Sequence, residues 1–196
     1  LHPRVRRQRQ MCIRDRYIVG SSIYRTTFDT AFHCMYLNSR GESDINSEPI
    51  EKDFAEWMQF GKKELVVTET AFVSFGEKAT EYSYAMMAKI TALVMAHDLD
   101  VMIGDTTSTD HYASIGGFEN LETILPPDVL ALVQDRLYYS KDENGKEYAC
   151  AIDLSGTEFA EGSNLSQDTP LLGLVAGSQR TDHSVALIRY IFDPSV

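Results

Sequence analysis

Residues 80–105, TEYSYAMMAKITALVMAHDLDVMIGD, decide the fold class of this chain. The first part of the stretch, 80–97, places apolar residues at helical spacing on one side: Tyr82, Met86, Ile90, Leu93 and Val94. The last part, 100–105, is a short continuous apolar run between two aspartates, which is typical of a strand that helices cover on both faces. A helix that leads within a few residues into a buried strand predicts an α/β protein.

The residues before this stretch repeat the same alternation. A strand is predicted over 30–38 (TAFHCMYLN), a helix from Pro49 to Gly61, and a second strand over 64–75. The order strand, helix, strand, helix, strand is the signature of βαβ units. We therefore expect a mostly parallel open sheet with helices on both faces.

The residues after the stretch predict a less regular half. Asp142–Gly145 contains Asn-Gly, a strong signal for the turn of a β-hairpin. The other predicted elements are a helical stretch over 109–115, a helix that begins at Pro126-Pro127, hairpin strands over 137–140 and 146–154, a buried strand over 171–176 and a helix over 182–192. We expect 30–105 and 171–196 to form a main α/β lobe, with 106–170 as a small second lobe and crossover hairpin.

Residues 1–29 precede the predicted fold and differ from it in composition. Residues 1–16 hold six arginines and include the run QMCIRDR, which is typical of a translated sequencing adapter, so we interpret them as a sequencing or cloning scar. A basic juxtamembrane arm is the alternative. Residues 17–29 begin with an apolar-leaning octet, much shorter than the roughly 20 residues that a membrane span requires. We interpret 17–29 as the end of a truncated membrane anchor, with a frayed leading segment as the alternative.

Composition and charge exclude several classes of protein. The chain has 196 residues, of which 43% are hydrophobic and 24% charged, a balance typical of a globular protein with a sizeable core. Its 18 basic and 29 acidic residues give a net charge of −11, which is the wrong sign for binding the phosphate backbone, so no nucleic-acid partner is expected. Outside the predicted scar, Cys34 and Cys150 are compatible with two buried thiols or with one disulfide.

Polar side chains follow several of the predicted strands. In an open parallel sheet, ligands bind outside the carboxyl ends of the strands, where helix N-termini converge. The candidate ligand-binding residues at these ends are Asn38, Asp105, Thr106, Asp153, Ser155 and Ser178. Their side chains suit hydrogen-bonded capture of a small polar molecule, and the two aspartates favour a ligand with an amine or several hydroxyls. Turn and helix-capping roles are the alternative at each position.

The sequence lacks the common motifs of catalysis and metal binding. It contains no H-E-x-x-H, C-x-x-C, G-x-S-x-G or P-loop pattern. Asp110-His111 and Asp182-His183 are adjacent pairs, but neighbouring residues of a helix face different directions and are not expected to share one metal ion. We expect no catalytic residue, no metal and no cofactor.

From Thr30 to Phe192 the chain resembles the type 2 periplasmic-binding-protein family of extracellular solute-binding proteins. The features that carry the resemblance are the helix-to-strand run Ala88–Asp105, the segments Tyr112–Ser114 and Gly117–Pro126, the strand Tyr148–Leu154 and the closing segment Leu172–Ser178 with its trailing helix. The resemblance implies a protein on the extracellular face of the cell membrane, truncated at its N-terminus and tethered there by a lipid or an N-terminal helix. It further implies capture of a small polar ligand without catalysis, an ABC permease as partner in transport, and a monomer that contacts the membrane through the missing anchor alone.

Two alternatives stay open. His111–Glu119 is similar to the tyrosine-then-Gly-Phe ending of the acyl-CoA region in GNAT-type acyltransferases, although that fold needs a glycine-rich pyrophosphate loop and residues 75–80 supply one glycine. The other alternative is a ligandless surface interaction domain on the same fold.

Overall fold

The computed structural model describes residues 28–39, 45–165 and 169–193. The predicted scar at 1–16 lies outside these ranges, as does most of the predicted anchor segment at 17–29. Within the described ranges, no helix combines the length and the apolar character that crossing a bilayer requires.

Six strands of the described chain form one mixed sheet. They are β1 (Asp29–Leu37), β2 (Glu64–Ala71), β3 (Val101–Gly104), β4 (Leu137–Lys141), β5 (Glu147–Asp153) and β6 (Leu171–Leu174). Their order across the sheet is β2-β1-β3-β6-β5-β4. β1 is parallel to both of its neighbours, whereas the pairings of β3 with β6, β6 with β5 and β5 with β4 are antiparallel. The α/β class is confirmed, but the prediction of a mostly parallel sheet is wrong.

Helices cover both faces of this sheet. They are α1 (a π-helical segment Pro49–Phe54 followed by Ala55–Trp57), α2 (Glu81–Met95), α3 (Thr106–Ser114), α4 (Leu121–Ile124), α5 (Pro127–Val133), α6 (Glu158–Gly162) and α7 (Thr181–Phe192). Side chains of α1 and α4 to α7 pack in one core with Phe32 and Tyr36 of β1. Side chains of α2 and α3 pack in a second core with Met35 and Leu37, which alternate to the opposite face. The predicted arrangement of helices on both faces is therefore confirmed.

β6 is antiparallel to β5 because the connection between them, residues 154–170, begins and ends at the same edge of the sheet. β5 ends at Asp153, directly beside Leu171 at the start of β6, and the Leu154 N–H donates to the Pro170 carbonyl at 2.9 Å. The five-residue helix α6 is about 7.5 Å long, whereas the seven residues of β5 extend about 23 Å. Because α6 spans only about a third of that length, the connection 154–170 returns to the edge where β5 ended, and β6 turns back beside β5 instead of running parallel to it.

Residues 106–170, predicted as a small second lobe, contribute β4 and β5 to the same sheet as β1 to β3. The hairpin predicted around Asp142–Gly145 is confirmed, since β4 and β5 pair on either side of it. The two lobes envisaged from the sequence therefore share one continuous sheet and its cores.

Cys34 and Cys150 are both buried free thiols. Cys34 lies on β1 and Cys150 on β5, which are three strand positions apart in the sheet. At about 4.8 Å per position, their Cα atoms are roughly 14 Å apart, too far for a disulfide. Of the two alternatives compatible with the sequence, the structure therefore has the buried thiols.

Candidate functional site

β1, β2 and β3 end at the same edge of the sheet, called here the carboxyl edge. From β1 the chain passes to β2 on one side and afterwards to β3 on the other, so the ends of β1 and β3 flank a topological switch point. Open α/β sheets bind ligands in the crevice at such a point, because the two connections leave in opposite directions.

Asn38 links the three strand ends at this edge. Its backbone is left-handed, with φ of 53°, a conformation that asparagine tolerates better than most residues. Its side-chain oxygen accepts a hydrogen bond from the Val73 N–H at 2.8 Å, and its amide nitrogen donates to Ser108 Oγ at 2.9 Å and to Asp105 at 3.4 Å. These contacts join the end of β1 to the segment after β2 and to the start of α3.

Asp105 is the N-cap residue of α3, as its position after β3 allows. Its Oδ1 accepts a hydrogen bond from the Ser108 N–H at 2.9 Å, which satisfies one of the free donors of the helix. Asp105 is half-buried, and Thr106 beside it is exposed. The structure thus brings together Asn38, Asp105 and Thr106 of the predicted site, but the first two bind each other and α3.

Asp153 and Ser155 lie at the same edge, beyond β6. Asp153 Oδ1 accepts a hydrogen bond from the Ser155 N–H at 2.8 Å, and the Arg136 guanidinium donates to the carbonyls of Asp153 at 3.3 Å and Ser155 at 2.9 Å. The Arg136 guanidinium also lies 5.5 Å from the ring centre of Phe192. These hydrogen bonds stabilise a turn after β5, so Asp153 and Ser155 have structural partners in this turn and in Arg136.

Ser178 lies at the opposite edge from the other predicted site residues. It follows β6, and because β6 is antiparallel to β3, the end of β6 lies beside Val101 at the start of β3. There the Ser178 hydroxyl donates to the buried carboxylate of Asp100, to which Arg180 Nε also donates at 2.8 Å. The expectation that Ser178 joins Asp105 and Asp153 in one crevice required a parallel β6 and is wrong.

A cavity of about 270 Å³ lies at the carboxyl half of β1 and β2, on the face that α1 covers. Its lining residues are Tyr36, Ile45, Ser47, Glu51, Thr68, Glu69 and Thr70. In the parallel register Tyr36 pairs with Thr70 and Cys34 with Thr68, so the two threonines point to the same face as Tyr36. The Thr68 hydroxyl donates a hydrogen bond to the Glu51 carboxylate of α1.

The Tyr36 side chain in this cavity is 1% exposed, and its hydroxyl has no hydrogen-bond partner among the described residues. Burial raises the pKa of the Tyr36 hydroxyl well above its usual value, with smaller contributions from Cys34 and Glu51. Interaction with the Ser163 hydroxyl lowers the pKa of Tyr36 and opposes part of this increase, but the two hydroxyls do not meet in the distance and angles of a hydrogen bond, and neither has another partner among the described residues. Because buried polar groups are nearly always hydrogen-bonded, these hydroxyls call for a further polar partner.

Most of the residues that line this cavity escaped the sequence analysis. Tyr36 stands inside an apolar run and has the appearance of core. Thr68 and Thr70 offered the better signal, because two hydroxyls at alternate positions of a strand must lie on one face of it. Glu51 comes from a different element, and only the packing of α1 on β2 brings its carboxylate there.

The adjacent Asp-His pairs diverge in the structure, as expected for neighbours on a helix. Asp110 accepts a hydrogen bond from the Tyr138 hydroxyl at 3.1 Å, whereas the His111 ring stacks on Phe75 with ring centres 4.0 Å apart. His183 Nδ1 lies 2.7 Å from the carbonyl oxygen of Ala31. Over the described ranges, no three His, Cys, Asp or Glu side chains converge in a way that could hold a metal ion.

Comparison of the chain with family models, with curated proteins and with solved structures finds no match.

Proposed function

We propose that the protein binds a small polar molecule, without transforming it, in the cavity between α1 and the carboxyl halves of β1 and β2. The observation that carries the proposal is the hydroxyl of Tyr36, one of the residues that line this cavity: the hydroxyl is buried and has no hydrogen-bond partner among the described residues. Leaving such a group unpaired costs about 1–3 kcal/mol of stability. A ligand that bonds to it recovers this free energy and gains affinity from it.

The cavity lining defines the chemistry of the ligand. Ser47, Thr68 and Thr70 offer hydroxyls that can donate or accept, and Glu51 adds a carboxylate at the exposed side. Together with the net charge of −11, this carboxylate favours neutral polyhydroxylated ligands or ammonium compounds over anions. A volume of about 270 Å³ is slightly below the roughly 300–1,000 Å³ of drug-sized sites, so the ligand has the size of a monosaccharide or an amino alcohol.

Binding without catalysis fits the acid–base character of the lining. The raised pKa keeps the Tyr36 hydroxyl protonated at neutral pH, so it is a hydrogen-bond donor and not a base. Serine and threonine hydroxyls are most often activated by a histidine base, and none of the described residues that line the cavity is a histidine.

The wider biological setting in this proposal rests on the sequence resemblance alone. A periplasmic-binding-protein-like receptor would be tethered to the extracellular face of the membrane and deliver its ligand to an ABC permease. The GNAT-type acyltransferase and the ligandless interaction domain stay alternatives, and the ligandless domain is one of the outcomes of the test below.

A thermal-shift screen of monosaccharides, polyols, amino acids and polyamines tests the proposal. At 100 times its dissociation constant a ligand adds about 2.7 kcal/mol of stability, which for a domain of this size raises Tm by roughly 5–10 °C. We expect at least one hit, and we expect Tyr36→Phe and Glu51→Gln to remove its Tm shift. Tyr139→Phe is the control, because Tyr139 lies on β4 at the far side of the sheet, where its hydroxyl donates a hydrogen bond to Glu122 of α4.

Tyr36→Phe also has an expected effect in the absence of ligand. Because the lost hydroxyl is unpaired, the variant should be as stable as the parent protein or more stable, whereas loss of a made hydrogen bond costs about 1 kcal/mol. A hit that survives Tyr36→Phe, or a broad screen without any hit, contradicts the proposal and favours the ligandless domain.

A further inference from the structure

β2 lies at one edge of the sheet, so one side of its backbone has no neighbouring strand among the described residues. The strand is eight residues long and pairs with β1 on its other side. Residues 65–70 are all partly exposed, whereas residues 31–37 of β1 are buried. A long exposed edge offers a row of N–H and C=O groups to any extended chain that approaches it.

Hydrogen bonds at the two ends of β2 show which of its residues point outward. The Lys63 carbonyl accepts a hydrogen bond from the N–H of Asp29 at 2.9 Å, and the Ala71 carbonyl accepts one from Asn38 at 3.0 Å. Because the polar groups of a strand point alternately to its two sides, the odd-numbered residues of β2 face β1. The outward N–H and C=O groups, which have no hydrogen-bond partner within the described ranges, are those of Val66, Thr68 and Thr70.

The other edge strand of the sheet, β4, is less open to a further chain. It has five residues, and an irregularity between Tyr138 and Tyr139 interrupts its pairing with β5. Short and bulged edges discourage pairing with another chain. Of the two edges, β2 is therefore the one suited to accept a further strand.

The Glu51 carboxylate of α1 lies beside the carboxyl half of β2 and has no counter-ion. Glu51 is exposed and accepts the hydrogen bond of the Thr68 hydroxyl. No lysine or arginine of the described ranges lies within ion-pair distance of it. A chain that pairs with this half of β2 therefore meets a negative charge that the protein does not neutralise.

The other charged groups near the edge leave Glu51 unpaired. Glu69 of β2 already pairs with Lys89 of α2. The two lysines at 62–63 precede β2 and lie at the other end of the edge. Lys52 follows Glu51 on α1, and neighbouring residues of a helix face different directions.

We infer that the outward side of β2 binds an extended peptide segment of another protein as an additional strand, with a lysine or arginine side chain of that segment beside Glu51. An extended backbone supplies donors and acceptors at the spacing of alternate strand residues. The net charge of −11 attracts a basic segment and disfavours a second copy of this chain. This surface goes beyond the proposed ligand cavity, because it uses the backbone of β2.

Hydrogen exchange of the full chain, detected by NMR, tests the edge without a partner. The amides of Val66, Thr68 and Thr70 should exchange much faster than those of Val67 and Glu69, which face β1. Protection of the three outward amides that disappears on dilution would mean that a second copy occupies the edge. Protection that persists at every dilution would mean that another segment of this chain does. Either result overturns the inference.

A synthetic peptide tests the partner. The fluorescently labelled probe is as long as β2, alternates valine and threonine, and carries one central lysine. We expect a dissociation constant in the micromolar range by fluorescence anisotropy, and slower exchange at Val66, Thr68 and Thr70 in the complex. The same peptide with every amide N-methylated keeps its lysine but cannot donate hydrogen bonds, so it should not bind. A peptide with glutamate in place of the lysine should bind more weakly.

Variants of the protein locate the site. Thr70→Pro places a ring where the added strand would lie and should abolish binding, whereas Thr70→Ala keeps the N–H and should bind as the parent does. Proline is tolerated on an edge strand where the N–H faces solvent, so we expect both variants to fold, as circular dichroism would show. Glu51→Gln should weaken binding of the lysine peptide about two- to five-fold. Glu56→Gln, the same change at an exposed carboxylate of α1 that makes no hydrogen bond to β2 in the described structure, should not.

Several results would contradict this binding mode. Absence of binding at about 1 mM of the lysine peptide overturns the inference. Binding that tolerates N-methylation, that survives Thr70→Pro or that is unchanged by Glu51→Gln overturns it as well. If Thr70→Pro does not fold, the N-methylated peptide gives the same test of backbone pairing.

Discussion

At the scale of single residues, Asp100 shows how this acidic chain tolerates a buried charge. Its carboxylate is fully buried and accepts hydrogen bonds from the His33 backbone N–H at 2.8 Å, from Arg180 Nε at 2.8 Å and from the Ser178 hydroxyl. A buried carboxylate is stable only when it is paired and hydrogen-bonded. The network therefore explains Ser178 and Arg180 as structural residues that attach the turn before α7 to β1 and β3.

Replacing Arg180 tests this assignment. Arg180→Ala leaves the Asp100 carboxylate buried without its counter-ion, so we expect the free energy of unfolding in urea to fall by about 3–5 kcal/mol. Arg189→Ala is the control, since Arg189 pairs with an Asp128 side chain that is 61% exposed, and solvent screens such a pair, so this variant should lose much less stability. Similar losses for the two variants would show that Asp100 does not depend on Arg180.

At the scale of elements, β6 is packed closely against the segment that precedes α4. Phe118 makes an isolated β-bridge with Val175, and its ring lies over Gly173 in the middle of β6. A Cβ atom at position 173 would lie 2.4 Å from the Phe118 ring, a distance that real contacts do not reach. Glycine is needed here for space and not for an unusual backbone conformation.

Gly173→Ala should therefore destabilise the protein by overpacking. We expect a loss of about 1–3 kcal/mol, because the Phe118 ring is itself buried and can move only by disturbing its neighbours. Gly162→Ala is the matched control, since its Cβ would meet its nearest neighbour at an ordinary 3.7 Å. The double variant with Phe118→Ala should lose less than the sum of the two single changes, and strict additivity would contradict the proposed clash.

At the scale of the whole molecule, one sheet connects the two segments that the sequence suggested were separate lobes. β6 lies between β3 and β5, and it is hydrogen-bonded to both. If β4 and β5 unfolded, β6 would lose one of its two hydrogen-bonded neighbours. The two segments are therefore expected to unfold together.

Unfolding should accordingly occur in one transition. Trp57 in α1, the single tryptophan of the chain, reports on one end of the sheet, and a Trp57→Phe/Tyr139→Trp variant moves the fluorescent probe to β4 at the other end. In each protein we expect the urea midpoint from tryptophan fluorescence to coincide with the midpoint from far-ultraviolet circular dichroism. Two separated midpoints in either protein would indicate the two-lobe organisation instead.

Local sequence patterns predicted most of the elements. The apolar periodicity of 80–97 and the run before Asp105 correspond to α2 and β3, and the Asn-Gly turn corresponds to the hairpin. These features depend on interactions within a few residues, such as helical spacing and turn chemistry, which a single sequence records. The same patterns predicted Asp105 at the end of a strand, but they placed the next helical stretch at 109–115, whereas in the structure α3 begins at Thr106 with Asp105 as its N-cap.

The sequence by itself thus determined the α/β class, the positions of most of the elements and the polar character of the carboxyl edge. Only the tertiary structure decided the direction of β6, and this direction places Ser178 at the opposite edge of the sheet. The tertiary structure also decided that Tyr36, Thr70 and Glu51 line one cavity. The physical reason is that strand direction and shared cavities depend on contacts between residues distant in the chain. Those contacts follow from the length of connections and the packing of whole elements, which local periodicity does not encode.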